Sequence, residues 1–353
     1  MTLPMIPPVD QGIRGQMRAR VDQLTKPLGS LGRLEELAVD LAGMKAALQP
    51  SVARKTVITM AADHGVAEEG VSAYPQAVTA QMVLNFLRGG AAINVFARQM
   101  GAKVVVVDMG VVEELPDHPE LIKKRVAPGT RNFAREPAMS REEAERAVAA
   151  GIEVFEEVWK SGVDIVALGE MGIANTTSAS AIVSVLSNTP AGEVVGRGTG
   201  ISDEGMALKT RVIQGALARH KPDAQDGGDV LSKVGGFEIG GLAGVALAAA
   251  SHRVPVMVDG FIATAAALLA VRLSPSVRSY LIAGHQSVER GHRIALGALG
   301  LHPLLDLSMR LGEGTGAVLA MSVVESALRM ALEMATFGEA GVSEKSEGAR
   351  EAI

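Results

Sequence analysis

The stretch DIVALGEMGIANTTS, residues 164–178, contains an apolar run, a polar turn and the start of a helical pattern in immediate succession. Its first part, 164–168, has the β-branched, uncharged core that is typical of a strand buried on both faces. The turn over 169–178 contains two glycines, and a helical pattern over 177–186 follows it. This order predicts a strand that feeds a helix, which is the repeating unit of a parallel sheet.

The same order recurs along the chain. Four further apolar runs predict strands at residues 56–61, 103–107, 254–258 and 279–283, and the polar turns ADHG, DMG, DGF and GHQS follow them. Ser140 and Glu143 form a capping-box pattern that begins a helix. Other helical patterns span 203–220, 240–251 and 261–273. Strands that alternate with helices predict an α/β fold, a mostly parallel sheet flanked by helices.

The two ends of the chain have a different pattern. Residues 10–47 predict two helices around the loop TKPLGSLG, and residues 315–336 predict one long helix. Because no strand separates these helices, we expect a small helical subdomain. The predicted domains are 50–312 for the α/β part, 1–49 with 313–340 for the helical part, and 341–353 as a polar tail expected to fray.

Composition excludes several classes of function. The chain has 353 residues, 48% hydrophobic and 21% charged, with a net charge of −5. A pI near 5.9 and the lack of a basic run argue against nucleic-acid binding. With no cysteine, the chain has no disulfide, thiolate nucleophile or cysteine-bound metal. Neither a signal peptide nor a membrane span is expected, and we therefore expect a cytoplasmic protein.

The carboxyl edge of the predicted sheet is the expected ligand site, because ligands of open α/β sheets bind there. Two glycine-rich loops are candidate phosphate sites. The loop 169–178 offers backbone N–H groups at a helix start, and GRGTGISDEGMALK (196–209) enters a helix and carries Arg197 and Lys209. An ordinary capped turn is the alternative for each loop, and the repetition at several strand ends favours function.

Four polar residues at strand ends form a candidate metal site: Asp63, His64, Asp259 and His285. Their spacing matches no standard ligand motif, so hydrogen-bonded buried groups are the favoured interpretation. Tyr74, in VSAYPQAVTAQMVLNFLRGG (71–90), and the helix after it could border a flat apolar ligand, although packing of that helix in the core is favoured. The run LGEGTGA (311–317) looks like a phosphate cradle, yet it carries the carboxylate of Glu313.

Taken in order, seven blocks resemble the nicotinate-nucleotide–dimethylbenzimidazole phosphoribosyltransferase family. They are TKPLGSLGRLEELA, AADHGVAEEGVSAYPQAVTAQM, LGEMGIANTTSASA, GRGTGISDEGMALK, VDGFIATAAAL, AGHQSVERGH and LDLSMRLGEGTGAVLAM, over residues 20–336. The resemblance implies a Rossmann-like domain with a small helical domain from both termini, a homodimer, and no metal or other cofactor. It also implies transfer of phosphoribose from nicotinate mononucleotide to 5,6-dimethylbenzimidazole, with inversion at C1′.

Carried over position by position, the resemblance makes Glu313 the catalytic base. The positions that it implies for the nucleotide and its phosphate are Glu170, Gly172, Asn175, Thr176, Thr177, Gly200, Ser202 and Lys209. Those that it implies for the benzimidazole are Tyr74, Gln81, Met82 and Leu311. Two alternatives from other classes stay open: a metal-dependent phosphohydrolase using Asp63, His64, Asp259 and His285, and a non-catalytic nucleotide-binding protein.

Overall fold

The computed structural model describes residues 2–198 and 200–343. Strands β1 to β6 are, in chain order, Lys55–Ala62, Ala102–Gly110, Leu121–Lys123, Ile165–Met171, Val256–Val258 and Leu281–Ala283. Helices α1 to α14 are Gln11–Asp22, Arg33–Lys45, Val78–Leu87, Ala92–Met100, Arg141–Trp159, Asn175–Leu186, Ala191–Val194, Asp203–His220, Gly227–Val234, Phe237–Ser251, Phe261–Leu273, Arg290–Leu299, Thr315–Glu333 and Phe337–Ala340. Short 3₁₀ helices span Gly65–Glu69 and Pro275–Tyr280.

The strands of the described chain form one six-stranded parallel sheet in the order β3-β2-β1-β4-β5-β6. This confirms the predicted α/β fold with a parallel sheet. The order reverses direction between β1 and β4, where Thr59 of β1 is paired with Val106 on one side and Gly169 on the other. In doubly wound sheets the crevice at such a switch point is where ligands bind. The carboxyl ends of β1 and β4 are therefore the centre of the expected site.

Helix α10 packs on the sheet and on α5 through glycines. A Cβ at Gly151 of α5 would lie 1.8 Å from the carbonyl oxygen of Gly241, and a Cβ at Gly241 would lie 2.5 Å from the sulfur of Met60 on β1. Neither position leaves room for a side chain, so the α10 backbone lies close to both elements. This packing holds the first turn of α10, which carries Glu238, against the end of β1.

The boundaries predicted for α8 and α11 are confirmed, whereas β5 and β6 are shorter than predicted. Pro255 has no N–H to donate to a neighbouring strand, so β5 begins at the residue after it, Val256. Tyr280 lies in a 3₁₀ helix, and its hydroxyl donates to the carbonyl of Pro7 at 2.8 Å. The three-residue edge strand β3 was not predicted, because LIK is too short to form a recognisable pattern.

The chain divides into two compact units, and the larger one comprises residues 2–7 and Arg54–Met321. It contains the whole sheet and the first turns of α13, so Glu313 belongs to it. The division at 321/322 lies farther along the chain than the predicted boundary at 312/313.

The smaller unit comprises residues 8–53 and 322–343 of the described chain. Its core is formed by apolar side chains of α1, α2 and the second half of α13, together with Leu24 just after α1: Met17, Val21, Leu24, Ala38, Val39, Ala42, Met330 and Ala331. Arg20 ties the two ends of the chain together, since its Nε donates to the carbonyl of Ala331 at 2.8 Å. Residues 344–353 of the predicted tail lie outside the described residues.

Within the described residues, α13 is the one helix that is long and apolar enough to cross a membrane, judged by length and composition alone. However, 61% of its apolar window is buried inside the protein. A core helix passes the same test, so this helix is weak evidence for a membrane span.

Candidate active site

A cavity of about 290 Å³ lies in the larger unit at the carboxyl ends of β4, β5 and β6. Its lining comes from the loops that follow these strands, from the turn before α13, and from single residues of two other loops: Tyr74, Glu170, Met171, Gly172, Ile173, Asn175, Thr176, Gly198, Gly260, Phe261, Ile262, His285, Ser287, Glu289, Arg310, Leu311 and Gly312. The edge of the sheet that the sequence indicated therefore holds a ligand-sized cavity.

Glu170, near the end of β4, is a buried carboxyl group that lines this cavity. Asn175 donates a hydrogen bond to its Oε2, and a Cβ at Gly312 would lie 2.2 Å from its Oε1. Burial, with the nearby charges of Asp259, Glu238 and Glu313, raises the pKa of Glu170 to about 8. Glu170 is therefore protonated at neutral pH and can donate a hydrogen bond.

The loop between β4 and α6 brings backbone groups to the cavity. Ala174, before α6, has a left-handed backbone with φ of 73°, which is uncommon for a residue other than glycine. Gly172 and Thr176 line the cavity on either side of it. The side chain of Thr177 is fully buried away from the cavity, and its Oγ1 has no hydrogen-bond partner among the described residues.

Lys209 of α8 is a buried cation beside this loop. Its Nζ donates to Thr176 Oγ1 at 2.6 Å, and a Cβ at Gly198 would lie 3.4 Å from Nζ. Burial lowers the pKa of Lys209 to about 8, and the charge of Glu289 opposes that shift. The amine therefore lies close to a glycine-rich loop and can bind an anion there.

Gly200 and Ser202, predicted in the same group, do not line this cavity. Ser202 caps α8, since its Oγ accepts from the N–H of Gly205 at 3.2 Å. Gly200 lines an adjoining cavity of about 400 Å³ that contains three arginines and shares Glu289 and Arg310 with the first one. Thr199 lies outside the described residues.

The Glu313 side chain is buried and turned toward α4. Its Oε2 accepts a hydrogen bond from the N–H of Ile93 at 3.1 Å, in the first turn of α4. Its backbone is left-handed, with φ of 63°, and its carbonyl oxygen accepts from Thr59 Oγ1 at 3.2 Å. Burial raises the pKa of Glu313, the Ile93 N–H opposes this, and the charge of Asp259 adds to it. Its neighbour Gly312 lines the cavity, whereas Glu313 in this conformation does not.

The aromatic end of the cavity is open to solvent. Tyr74 and Leu311 line it and are 55% and 57% exposed, so they lie at its mouth. Gln81 and Met82, which were also predicted for a benzimidazole, lie on α3 and are not among the lining residues. The apolar surface comes mainly from side chains that the sequence did not single out: Met171, Ile173, Phe261 and Ile262.

Comparison with known proteins identifies the family. Residues 6–342 match a family model described as phosphoribosyltransferase. A nicotinate-nucleotide–dimethylbenzimidazole phosphoribosyltransferase of Chloroflexus aurantiacus is 60% identical over 98% of both chains, and one of Desulforudis audaxviator is 58% identical over 97% of both. The chain belongs to the nicotinate-nucleotide–dimethylbenzimidazole phosphoribosyltransferase family. The ordered motifs in the sequence had predicted this membership.

Solved structures of the family agree with the fold. A crystal structure of the Thermus thermophilus member is 50% identical, with a TM-score of 0.91 over 95% of this chain and 100% of the other. A second crystal structure, of CobT from the same organism, has a TM-score of 0.92 at 52% identity.

The metal-dependent hydrolase is not supported for this family member. His64 is fully buried, and its ring nitrogens lie 2.9 Å from Ser178 Oγ and 2.7 Å from Glu238 Oε1. The Oδ2 of Asp63 accepts from the N–H of Val112, so Asp63 and His64 belong to networks of their own. In the part of the chain that the structure describes, no group of three or more histidine, aspartate or glutamate side chains could hold a metal ion.

Glu289 and His285 are cavity residues that the sequence did not assign to a nucleotide. The Oε1 of Glu289 accepts from the N–H of Gly198 at 2.9 Å, and Glu289 directly precedes α12. His285, which follows β6, lines the cavity. The sequence did contain a signal for both, since GHQSVER follows a predicted strand and carries three ionisable groups.

Proposed function

We propose that this chain transfers 5-phosphoribose from nicotinate mononucleotide to 5,6-dimethylbenzimidazole, releasing nicotinate and forming α-ribazole 5′-phosphate. The observation that carries the proposal is the full-length identity of 60% with a relative named for this donor and acceptor. The cavity supports it, because it has a cationic, glycine-rich end and an apolar mouth. The first suits the phosphate of nicotinate mononucleotide, and the second suits the flat ring system of dimethylbenzimidazole.

In the proposed arrangement the 5′-phosphate binds beside Lys209 and Thr176. A buried ammonium and the N–H groups at the start of α6 are suited to this group. Lys209 has a lowered pKa because it is buried, and a bound phosphate dianion would favour its charged form. The dimethylbenzimidazole lies between Tyr74, Leu311 and Met171 at the mouth, where apolar side chains can cover both ring faces.

The proposed reaction is a single displacement at C1′ of the ribose. One benzimidazole nitrogen forms a bond to C1′ as the bond from C1′ to the pyridinium nitrogen breaks, and nicotinate leaves with that electron pair. The other benzimidazole nitrogen transfers its proton to Glu313. Because attack and departure take place on opposite faces, the β-glycosidic bond of the donor becomes an α bond in the product.

Glu313 is a more suitable base than Glu170. A base must be ionised, and although burial raises the pKa of Glu313, the Ile93 N–H at the start of α4 opposes that rise in the free enzyme. Glu170, with a pKa of about 8, holds its own proton at neutral pH. In the proposed complex, the Glu313 side chain turns from Ile93 toward the ring, and Glu170 donates a hydrogen bond to the nucleotide.

The test is incubation of the purified protein with both substrates, with detection of free nicotinate and of the anomeric configuration of the product by NMR. We expect equimolar nicotinate and the α anomer, with full activity after exhaustive chelation. A lack of nicotinate release under all conditions would refute the transferase. Activity lost on chelation and restored by a divalent metal would favour the hydrolase class.

The proposed form is a homodimer in the cytoplasm, which rests on the family resemblance alone. Sedimentation analysis should give twice the chain mass of 36.6 kDa. A monomer at working concentration that retains full activity would contradict a functional dimer.

A further inference from the structure

Asp259 fastens the turn that carries Glu313. It follows β5 directly and is 1% exposed. Its Oδ2 accepts from the N–H of Gly314 at 3.2 Å, and its Oδ1 accepts from the N–H of Ala317 at 2.9 Å. These two groups belong to the turn and first helical residues directly after Glu313. A single carboxylate thus holds the backbone that directly follows the proposed base, Glu313.

His285 lies against the same carboxylate. Its Nε2 is 3.5 Å from Asp259 Oδ1, and neither ring nitrogen has a hydrogen-bond partner among the described residues. The ring has no freedom on its other side, since a Cβ at Gly316 would lie 2.0 Å from Cδ2. Asp259 and His285 therefore form a buried pair that connects the ends of β5 and β6 to the start of α13.

Charged and titratable groups from several elements lie near this pair, and Glu289 and Arg310 line the same cavity as His285. Glu170 on β4 and Glu313 before α13 are the carboxyl groups on which the charge of Asp259 acts. Glu238 of α10 also acts on Glu170, although it is paired with His64. His292 of α12, whose ring centre lies 6.0 Å from that of His285, has a pKa lowered to about 3 by burial and is neutral.

We propose that Asp259 is a positioning residue for the reaction: with His285 it holds the turn of Glu313 in place, and it places a buried carboxylate beside that turn. Two observations support this. Burial raises the pKa of Asp259, and this rise is opposed by His285 and by the N–H groups of Ala317 and Gly314 at a helix N-terminus, which favour the carboxylate form. The residue is buried, so its charge is poorly screened. The inference rests on the proposed function, because it acts through Glu313 and Glu170.

The experiment measures kcat/KM for nicotinate release against pH in the wild type, Asp259→Asn and Thr59→Val. Asp259→Asn removes the charge and keeps the size. Thr59→Val is the matched control, since it removes a different side-chain hydrogen bond to the same turn, the one to the carbonyl oxygen of Glu313, without changing any charge. Titration of the substrates is common to all three proteins and cancels in the comparison.

For Asp259→Asn we expect the acid limb of the profile to move to lower pH by about one unit or more, the usual scale for losing a like charge nearby. For Thr59→Val we expect a lower rate with an unmoved limb. An unmoved limb in Asp259→Asn would overturn the inference. Should Asp259→Asn not fold, Asp259→Ser, which can still cap the helix, is the second variant. If neither folds, Asp259 is a structural residue and the inference is also wrong. Absence of nicotinate release by the wild type would refute the proposed function instead.

Discussion

Glu313→Gln separates the chemical role of this residue from its structural role. Glutamine has nearly the shape of glutamate, and its side-chain oxygen can still accept the N–H of Ile93, which lies 3.1 Å from the Glu313 carboxylate. It cannot take a proton from the benzimidazole. We therefore expect a folded protein with a large loss of rate.

The two effects differ enough in size to be separated. Replacing a charged acceptor by a neutral one at a single hydrogen bond costs about 1 kcal/mol. Part of that is offset, because burial already raises the pKa of Glu313 and the neutral amide is easier to bury. Loss of a general base costs about 10²–10⁴ in kcat, or about 3–5 kcal/mol in activation free energy at about 1.36 kcal/mol for each tenfold.

The assay follows nicotinate release by chromatography at saturating dimethylbenzimidazole, and urea unfolding gives the free energy of unfolding. Glu170→Gln is the matched control, as it removes another buried carboxyl, one that does line the cavity. A more basic acceptor should partly rescue Glu313→Gln. A rate for Glu313→Gln within about threefold of the wild type, roughly 0.7 kcal/mol, would refute the assignment. If Glu170→Gln is then inactive, Glu170 is the base.

Three further predictions concern neighbouring residues. Glu170 ionises near 4.5 in the unfolded chain and at about 8 in the folded one, so the wild type loses stability as pH rises through this window; Glu170→Gln should show a flatter pH dependence in urea unfolding. Lys209→Met should raise KM for nicotinate mononucleotide by about 10–100-fold, with little change in kcat, because a charged hydrogen bond to the phosphate is lost. The variant should also be more stable near neutral pH, because the buried ammonium is gone. An unchanged KM would exclude Lys209 from the phosphate site. Gly312 has a φ of 89°, and a Cβ there would lie 2.2 Å from Glu170, so Gly312→Ala should lower the free energy of unfolding by about 1–3 kcal/mol. The control Gly200→Ala, at a φ of 103° with nothing within 4 Å of the added Cβ, should cost less. Equal shifts in melting temperature would contradict this.

The parallel sheet could be predicted because each strand has a strong local pattern. TVITMA and KVVVV are continuous apolar runs, and in the structure they lie side by side, with Thr56 paired to Lys103. Strand β3 was not predicted, since its three residues are too few for a recognisable alternation, and helix α4, with nine residues, was also not predicted. The order of the strands in the sheet could not be predicted from the sequence pattern of any one strand, because it depends on which helix packs against which strand.

The site was predicted only in part from the sequence, because its members are joined by geometry and not by spacing. Glu170, Asn175 and Tyr74 line the cavity, and local turn chemistry or the family motifs pointed to each of them. The hydrogen bond from Ile93 to Glu313 joins residues 220 positions apart. No pattern near Ile93 indicates that contact, and the same holds for the bond between Gly198 and Glu289.

The backbone of Glu313 explains why a carboxylate lies in a glycine-rich turn. Glycine would adopt its φ of 63° without strain, whereas any other residue costs about 1 kcal/mol or more in this region. Gly312 and Gly314 on either side also have positive φ, of 89° and 93°. A Cβ at Gly312 would strike Glu170, and one at Gly314 would lie 2.7 Å from Val57, so those two positions require glycine. The middle position has no such requirement, and it is the one that carries a strained, ionisable side chain against the start of a helix. Strain retained where glycine would remove it agrees with the proposed role of Glu313 as the base, and the glycine at position 312 leaves room for Glu170 beside the turn.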